Sequence, residues 1–87
     1  MNFELKFVAN WDVHFCKFDK PTKLRILKTI EKLKTKESSR HLKHGLPFFV
    51  EESGQYRIGF IQDDASYVRE IYFVGDHKQY KKWYSTL

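Results

Sequence analysis

The sequence lacks the cysteine pairs of disulfide-bonded proteins, the ligand clusters of metal-binding proteins and the long apolar segments of membrane-spanning proteins. Its 87 residues include one cysteine, Cys16, so no intrachain disulfide can form and no cysteine cluster can hold a structural metal. No apolar run approaches the roughly 18 residues that a membrane span needs, and the first residues lack the apolar core of a signal peptide. We therefore expect an intracellular, cytoplasmic protein with no membrane segment, no metal and no cofactor.

Aromatic residues and positive charge are what the chain has in quantity. Eight Phe, five Tyr and two Trp make up 17% of it, and each such ring can bury about 150–250 Å². A chain of this length is expected to form one domain, residues 1–87, with a dense aromatic core. The net charge of +5 suits a polyanionic partner, whether nucleic acid, an anionic membrane surface or an acidic protein.

Two helices are predicted in the first half of the chain. Asn10 can cap the first, in which Cys16 is expected to act as a small buried hydrophobe. The second runs from about residue 21 to residue 34 and is two-faced at 100° per residue. The short connection at Asp19 would make the two helices a hairpin on one face of a sheet. The predicted faces are Trp11, Phe15 and Phe18 in the first helix, Ile26, Leu27, Ile30 and Leu33 as the apolar arc of the second, and Arg25, Lys28, Lys32 and Lys36 as its basic arc.

Alternating apolar and polar residues predict one strand before these helices and three after them. The first strand covers residues 3–7, and residues 35–47 read as a loop. Turn sequences between the last three strands predict an antiparallel meander. These strands cover residues 48–51, 56–62 and 67–74, and a short C-terminal helix follows over residues 77–84. The predicted fold is therefore α+β, in the order β-α-α-β-β-β-α, with an antiparallel-rich sheet.

Three short motifs occur in order around the predicted meander. They are His-Leu-Lys-His-Gly at 41–45, Gly-Gln-Tyr-Arg-Ile-Gly-Phe at 54–60 and Val-Gly-Asp-His-Lys-Gln-Tyr at 74–80. The first is similar to a basic-Leu-basic-Gly segment, the second to a G-x-Y-R strand, and the third to a strand end followed by a basic residue and a Tyr. Together with the length and the element order, these motifs resemble the RelE/ParE superfamily, the toxins of type II toxin–antitoxin systems.

The resemblance implies a RelE-like fold and a choice of activities. Many members cleave messenger RNA on the ribosome, and others poison DNA gyrase without cleaving anything. We expect a toxin that is a metal-independent, ribosome-dependent endoribonuclease (an mRNA interferase), held in check by an acidic antitoxin protein. The alternatives are a non-cleaving toxin of the same fold, such as a gyrase inhibitor, and a plain RNA-binding domain. Exposed aromatic residues on the sheet would favour the last alternative.

Metal-free RNA cleavage needs a base, cationic donors for the phosphorane and an acid for the leaving oxygen. Arg57 suits the second role, because strand alternation points it away from the buried face and its planar fork can hold two phosphate oxygens. The resemblance places a functional Arg or His near His77, and histidine is suited to proton transfer near neutral pH. Tyr80, one helical turn later, could stack on a base or orient the phosphate. The alternatives are a strand ion pair for Arg57, a solvated His77, and a Tyr80 that packs on the core.

The strand before the Tyr-Arg strand departs from the pattern of the family. Several ribosome-dependent relatives carry lysines there that assist proton abstraction, whereas residues 48–52 read Phe-Phe-Val-Glu-Glu. Either Glu51 or Glu52 then serves as the base, or the catalytic set lies elsewhere, or cleavage is absent.

Basic side chains at three places are candidates for RNA contact, because phosphate neutralisation gives affinity without sequence choice. Each place has a solvated surface as its alternative. The histidines of the loop have no partners at ligand-like spacing, so we expect no metal there. The candidates are His41, Lys43 and His44 in the loop, Lys78, Lys81 and Lys82 in the last helix, and Arg25, Lys28 and Lys32 in the second helix.

Overall fold

The structure is a computed structural model, and it describes residues 2–37, 40–41 and 47–87, with the backbone alone at 40–41. Between the first strand and the meander, the described residues form a single 3₁₀ turn, a long helix and a two-residue strand. The elements in chain order are β1 (Glu4–Phe7), the 3₁₀ turn (Phe15–Lys17), α1 (Lys20–Lys32), β2 (Arg40–His41), β3 (Phe48–Ser53), β4 (Tyr56–Asp63), β5 (Val68–Asp76) and α2 (His77–Ser85).

The strands form one sheet in the order β1-β5-β4-β3-β2. β1 pairs with β5 in parallel, and the other neighbours are antiparallel. The predicted α+β class, the meander and the C-terminal helix are confirmed. The segment predicted as a loop contains β2, which adds a fifth strand at the edge beside β3.

α1 packs on one face of the sheet through Ile26, Ile30 and Leu33, which are buried. These side chains contact apolar residues of the central strands β4 and β5. The prediction for Leu27 was wrong, since 42% of it is exposed. Leu27 lies a full 100° around the helix from Ile26, and the contacts of the other three leave it at the flank of α1.

The predicted first helix is wrong in form, although its aromatic residues reach the predicted face. Residues 9–14 are turns, and Asn10 has a φ of +72°, which an α-helix does not allow. A segment this short is marginal as a helix by itself. The ring of Trp11 instead lies 4.7 Å from that of Phe7 and 5.1 Å from that of Phe15, so aromatic packing decides the backbone path.

In place of the predicted helical hairpin, the chain forms a turn segment, residues 9–18, followed by α1. The turn segment and α1 both pack against the same buried cluster on one face of the sheet. The expectation that Cys16 is buried is also wrong, because the 3₁₀ turn leaves Cys16 exposed.

Both α-helices begin at an aspartate that caps them. The Asp19 carboxylate accepts a hydrogen bond from the Thr22 N–H at 3.0 Å, and the Thr22 hydrogen bonds lower the pKa of Asp19. Asp76 and Gln79 form a reciprocal capping box at the start of α2, which satisfies two N–H groups at that end. In the described part of the chain, no helix is long and apolar enough to cross a membrane.

α2 covers the opposite face of the sheet. Tyr80 and Trp83 pack there against Val50 and Phe73, and the rings of Phe73 and Trp83 are stacked with centroids 4.8 Å apart. The indole of Trp83 lies directly over Gly59, where an added Cβ would come within 2.6 Å of its ring. The sheet thus has a core on each face, with α1 on one and α2 on the other.

Arg69 on β5 is the largest fully buried side chain among the described residues. Its Nη1 donates to the carbonyl of Leu33 at 2.7 Å, just beyond the last turn of α1. Its Nε donates to Gln62 on β4 at 2.9 Å, and its guanidinium lies 3.9 Å from the centre of the Phe3 ring. Arg69 therefore connects the end of α1 to β5, to β4 and to Phe3, the residue before β1.

We expect Gly59→Ala to destabilise the fold, because its Cβ would overlap the Trp83 ring at the centre of the α2 interface. Overpacking of this kind typically costs about 1–3 kcal/mol. Urea denaturation followed by circular dichroism measures the loss. The matched test is Gly59→Ala in a Trp83→Leu background, where the loss should be smaller; equal losses in both backgrounds would contradict the assigned contact.

Candidate nucleic-acid site

Arg57 lies on the α2 face of the sheet, at the end where α2 begins. In the β3–β4 hairpin it pairs with Glu52, and on the other side it pairs with Gly75 of β5. Its strand neighbours Tyr56 and Ile58 pack into the cluster beneath α1. The predicted direction of Arg57, away from the face that those two residues bury, is what the register shows.

The Arg57 side chain is held by three contacts. Its Nη1 donates to the carbonyls of Gly54 and Tyr56, both at 3.1 Å, and its Nε lies 3.7 Å from Oε1 of Glu52. The ion pair foreseen as the structural alternative is therefore present. Nη2 makes no hydrogen bond to the described residues, so its N–H groups remain available to an anion, whereas Nε and Nη1 are already engaged.

His77 is the first residue of α2 and is exposed. It follows Gly75, the partner of Arg57 on β5, by two residues. The amino-terminal end of α2 lies beside the strand position of Arg57, and the Asp76 carboxylate that caps it offsets its partial positive charge. The topology thus gathers a guanidinium, an imidazole and a helix terminus at one end of the sheet.

Glu51 and Tyr80 do not take the places predicted for them. Glu51 pairs with Ile58 in the register, so it lies on the face opposite to Arg57, and its carboxylate forms an ion pair with Lys36. Glu52 is the carboxylate that shares the face of Arg57. Tyr80 is buried, with its ring 6.3 Å from that of Phe73 and 5.0 Å from that of Tyr84, which is the packing alternative.

The register that corrects Glu51 could have been read from the sequence. Gly54 and Gln55 form a two-residue hairpin loop, so pairing counts outward from Ser53 and Tyr56. That count places Glu52 opposite Arg57 and Glu51 opposite Ile58, as observed. Arg69 also carried a signal, because it lies in phase with the buried Ile71 on the same strand.

The predicted RNA-contacting side chains divide into two exposed surfaces and one segment outside the described residues. Lys43 and His44 lie outside the described residues. For His41 only the backbone is described, and it lies in β2 opposite Phe49. The exposed groups are Arg25, Lys28 and Lys32 along α1, which we call the basic stripe, and Lys78, Lys81 and Lys82 on α2. In the described ranges, no group of three or more His, Cys, Asp or Glu residues is placed to hold a metal ion.

Comparison of the whole fold with solved structures places it with the RelE toxins. A chain of the RelBE2 toxin–antitoxin complex from Mycobacterium tuberculosis superposes with a TM-score of 0.79 at 15% identity, over 88% of this chain and 93% of that one. The isolated E. coli RelE toxin matches with a TM-score of 0.65 at 17% identity, over 98% and 99% of the two chains.

A double mutant of E. coli RelE in complex with a peptide of its antitoxin RelB matches with a TM-score of 0.66 at 16% identity, over 100% of this chain and 96% of that one. No protein-family model matches this sequence, and neither does any curated protein. At these identities the similarity shows the fold, so the chain has the RelE fold that its three motifs predicted.

We expect the two arginines of the sheet to differ sharply in their effect on stability. Glu52→Gln should cost at most about 1 kcal/mol, because the Glu52 side chain is 46% exposed and such pairs contribute little. Arg57→Ala should cost about 1–2 kcal/mol, because it also removes two hydrogen bonds to backbone carbonyls. Arg69→Met should cost about 2–4 kcal/mol, because it leaves the Leu33 carbonyl and the Gln62 side chain without their buried donor. Thermal and urea unfolding measure both, and a loss at Arg57 equal to that at Arg69 would show that Arg57 belongs to the core.

Proposed function

We propose that this chain is the toxin of a type II toxin–antitoxin pair and that it cleaves messenger RNA on the ribosome. The observation that carries the proposal is Arg57, anchored on a RelE fold with its Nη2 unengaged by the described residues, at the end of the sheet where α2 begins. The solved structures with this fold are an isolated toxin and a chain of a toxin–antitoxin complex, and a guanidinium fixed in this way can stabilise charge on a phosphate.

The chemistry requires the charge that builds on the phosphorane to be stabilised. The Nη1 and Nε contacts of Arg57 fix the guanidinium before a substrate arrives, and preorganised donors are the ones that stabilise a transition state most. In the proposal Arg57 binds the scissile phosphate. The Asp76 carboxylate caps the amino-terminal end of α2, so the positive charge of the site comes from the side chains and not from the helix end.

Proton transfer is assigned to His77 and Glu52. His77 is exposed at the start of α2 and can protonate the leaving oxygen, while Glu52 replaces Glu51 as the candidate base because it alone of the two lies on the Arg57 face. Tyr80 is no longer part of the catalytic set, since its ring packs on Phe73.

A non-cleaving toxin of the same fold, such as a gyrase inhibitor, is the second candidate. β3 reads Phe-Phe-Val-Glu-Glu-Ser, without the lysines that several ribosome-dependent relatives carry on this strand. A carboxylate held 3.7 Å from Arg57 also neutralises part of the charge that a phosphate would need. These two observations favour the second candidate if cleavage fails.

The proposed partners are an acidic antitoxin, the ribosome and messenger RNA. Two of the structures that share the fold come from complexes with an antitoxin or a peptide of one. The net charge of +5 and the exposed lysines of α1 and α2 suit both an acidic protein and RNA phosphates.

We expect production of the chain to arrest bacterial growth, and single-turnover cleavage of ribosome-bound messenger to depend on Arg57 and His77. Arg57→Ala should slow cleavage by about 10²–10³, the usual effect of one lost transition-state donor. Arg57→Lys should recover little, because a single ammonium cannot keep the contacts with the Gly54 and Tyr56 carbonyls and also present a donor to the phosphate. His77→Ala should cost about 10²–10⁴ if it transfers a proton. Both variants should relieve the growth arrest.

Circular dichroism of each variant serves as the control for folding. Wild-type cleavage rates in folded Arg57→Ala and His77→Ala would show that the catalytic positions are assigned wrongly. Absence of cleavage by the wild type, together with gyrase inhibition, would support the second candidate. A chain that is harmless in every host would exclude both toxin readings.

We expect the basic stripe to dock the protein on ribosomal RNA. If about four phosphates are neutralised, affinity for ribosomes should fall roughly a hundredfold between 50 and 200 mM salt. The double variant Lys28→Glu/Lys32→Glu should bind more weakly while staying folded, because exposed helix positions tolerate such changes within about 0.5 kcal/mol.

The matched control is Lys17→Glu/Lys20→Glu, which makes the same change of charge at two exposed lysines outside the stripe. Sedimentation with ribosomes at the two salt concentrations provides the comparison. Equal weakening by both double variants would show that net charge, and not the stripe, controls docking.

A further inference from the structure

An open pocket lies beside α2, where the segment after β1 passes the sheet. It has a volume of about 670 Å³ and is bounded by the turn segment after β1, by β5 and by α2. A β-bulge opposite Gly59 and Phe60 leaves Tyr72 as an extra residue of β5. Because of the bulge, Tyr72 and Phe73 both line the pocket, and Trp11 and Trp83 complete its aromatic wall.

Polar side chains share the pocket with these four rings. Asn10 and His14 come from the turn segment, and Gln79 and Lys82 come from α2. The His14 ring meets the Phe73 ring edge-on, with centroids 5.8 Å apart. An apolar concavity with a few convergent polar groups is the usual form of a ligand site, and the amides offer both donors and acceptors to the edge of a planar ring.

Positive charge borders the same pocket. Lys82 lines it, and Lys78 lies four residues earlier on α2, so the two lysines are neighbours on one side of the helix. Within α2 there are three lysines and no acidic residue. A ligand that combines planar rings with successive negative charges would match the rings and the lysines together.

We propose that this pocket binds a base of single-stranded RNA, with Lys78 and Lys82 on the adjoining phosphates. The inference rests on the proposed function and extends it with a second RNA contact, separate from Arg57. Along α2, Lys82 is about 7.5 Å from His77, from a rise of about 1.5 Å per residue. A strand bound at Arg57 and His77 can therefore continue along the lysines to the pocket.

The lining favours RNA over an acidic peptide. Four of the ten lining residues are aromatic, and base–aromatic stacking is the sequence-tolerant interaction of proteins that bind single strands. The half-buried state of Trp11, Tyr72 and Trp83 leaves part of each ring open for it. A peptide helix would use aliphatic contacts spaced along a groove, and aliphatic side chains contribute only Ala9 and Val13 here.

Intrinsic fluorescence tests the proposal directly, because the chain has two tryptophans and both line the pocket. The probe is a short oligoadenylate carrying 2′-O-methyl groups, which the protein cannot cleave. We expect saturable quenching that ribose 5-phosphate, which has no base, does not reproduce. Two phosphate contacts predict a fall in affinity of about sevenfold between 50 and 200 mM salt.

Two variants assign the contacts. Lys78→Ala/Lys82→Ala should remove most of that salt dependence, whereas Lys17→Ala/Lys20→Ala, with the same loss of charge at exposed positions, should leave it in place. His14→Ala should weaken binding about fivefold or more, the lower end of the range for loss of a stacking ring.

Three results would overturn the proposal. They are absence of quenching by the oligonucleotide, equal weakening by the two lysine pairs, and quenching by a Glu-rich peptide in place of RNA, which would assign the pocket to a protein partner. Because the probe cannot be cleaved, the binding result is independent of catalysis. Binding without cleavage by the wild type would sink the nuclease proposal and leave the pocket assignment standing.

Discussion

The burial of the Arg69 guanidinium is the constraint on which the rest of the structure depends. Burial lowers the pKa of Arg69, while the charges of Glu51 and Asp64 oppose this shift, and an arginine stays protonated at neutral pH in either case. A buried cation needs acceptors. Nε and Nη1 of Arg69 find them on β4 and at the carboxyl end of α1, while the buried Nη2 has no hydrogen-bond partner among the described residues. The partial negative charge at a helix carboxyl terminus favours this arrangement, which fixes α1 against the sheet.

With α1 fixed on one face, the other face is left to α2 and the candidate chemistry. The same strand alternation that sends Ile58 into the α1 core sends Arg57 and Glu52 to the α2 side. α2 starts immediately after β5, so its amino-terminal end lies beside Arg57 and its flank borders the aromatic pocket. The face on which each of these side chains lies follows from the register of the β3–β4 hairpin. A shift of one residue would move every side chain of the shifted strand to the opposite face.

The Glu52–Arg57 ion pair has two opposing effects in the proposed mechanism. A carboxylate near the guanidinium orients it and offers a base, yet it also competes with the phosphate for the same charge. If the pocket and the lysines of α2 bind RNA as proposed, they supply binding energy away from Arg57, so the chain does not rely on an unopposed cation at the centre.

The sequence by itself determined the α+β class, the meander, α1, α2 and the direction of Arg57, because each depends on local periodicity and turn chemistry. The two-residue loop of Gly54 and Gln55 also sets the pairing that places Glu52, and not Glu51, beside Arg57. Tertiary structure alone decided the path of residues 9–18, where ring packing overrode helical spacing, and the burial of Tyr80. It also decided the pocket, whose walls come from residues some seventy positions apart, Trp11 and Trp83 among them. No local pattern can specify such a contact, because it exists only once the core has brought β1, β5 and α2 together.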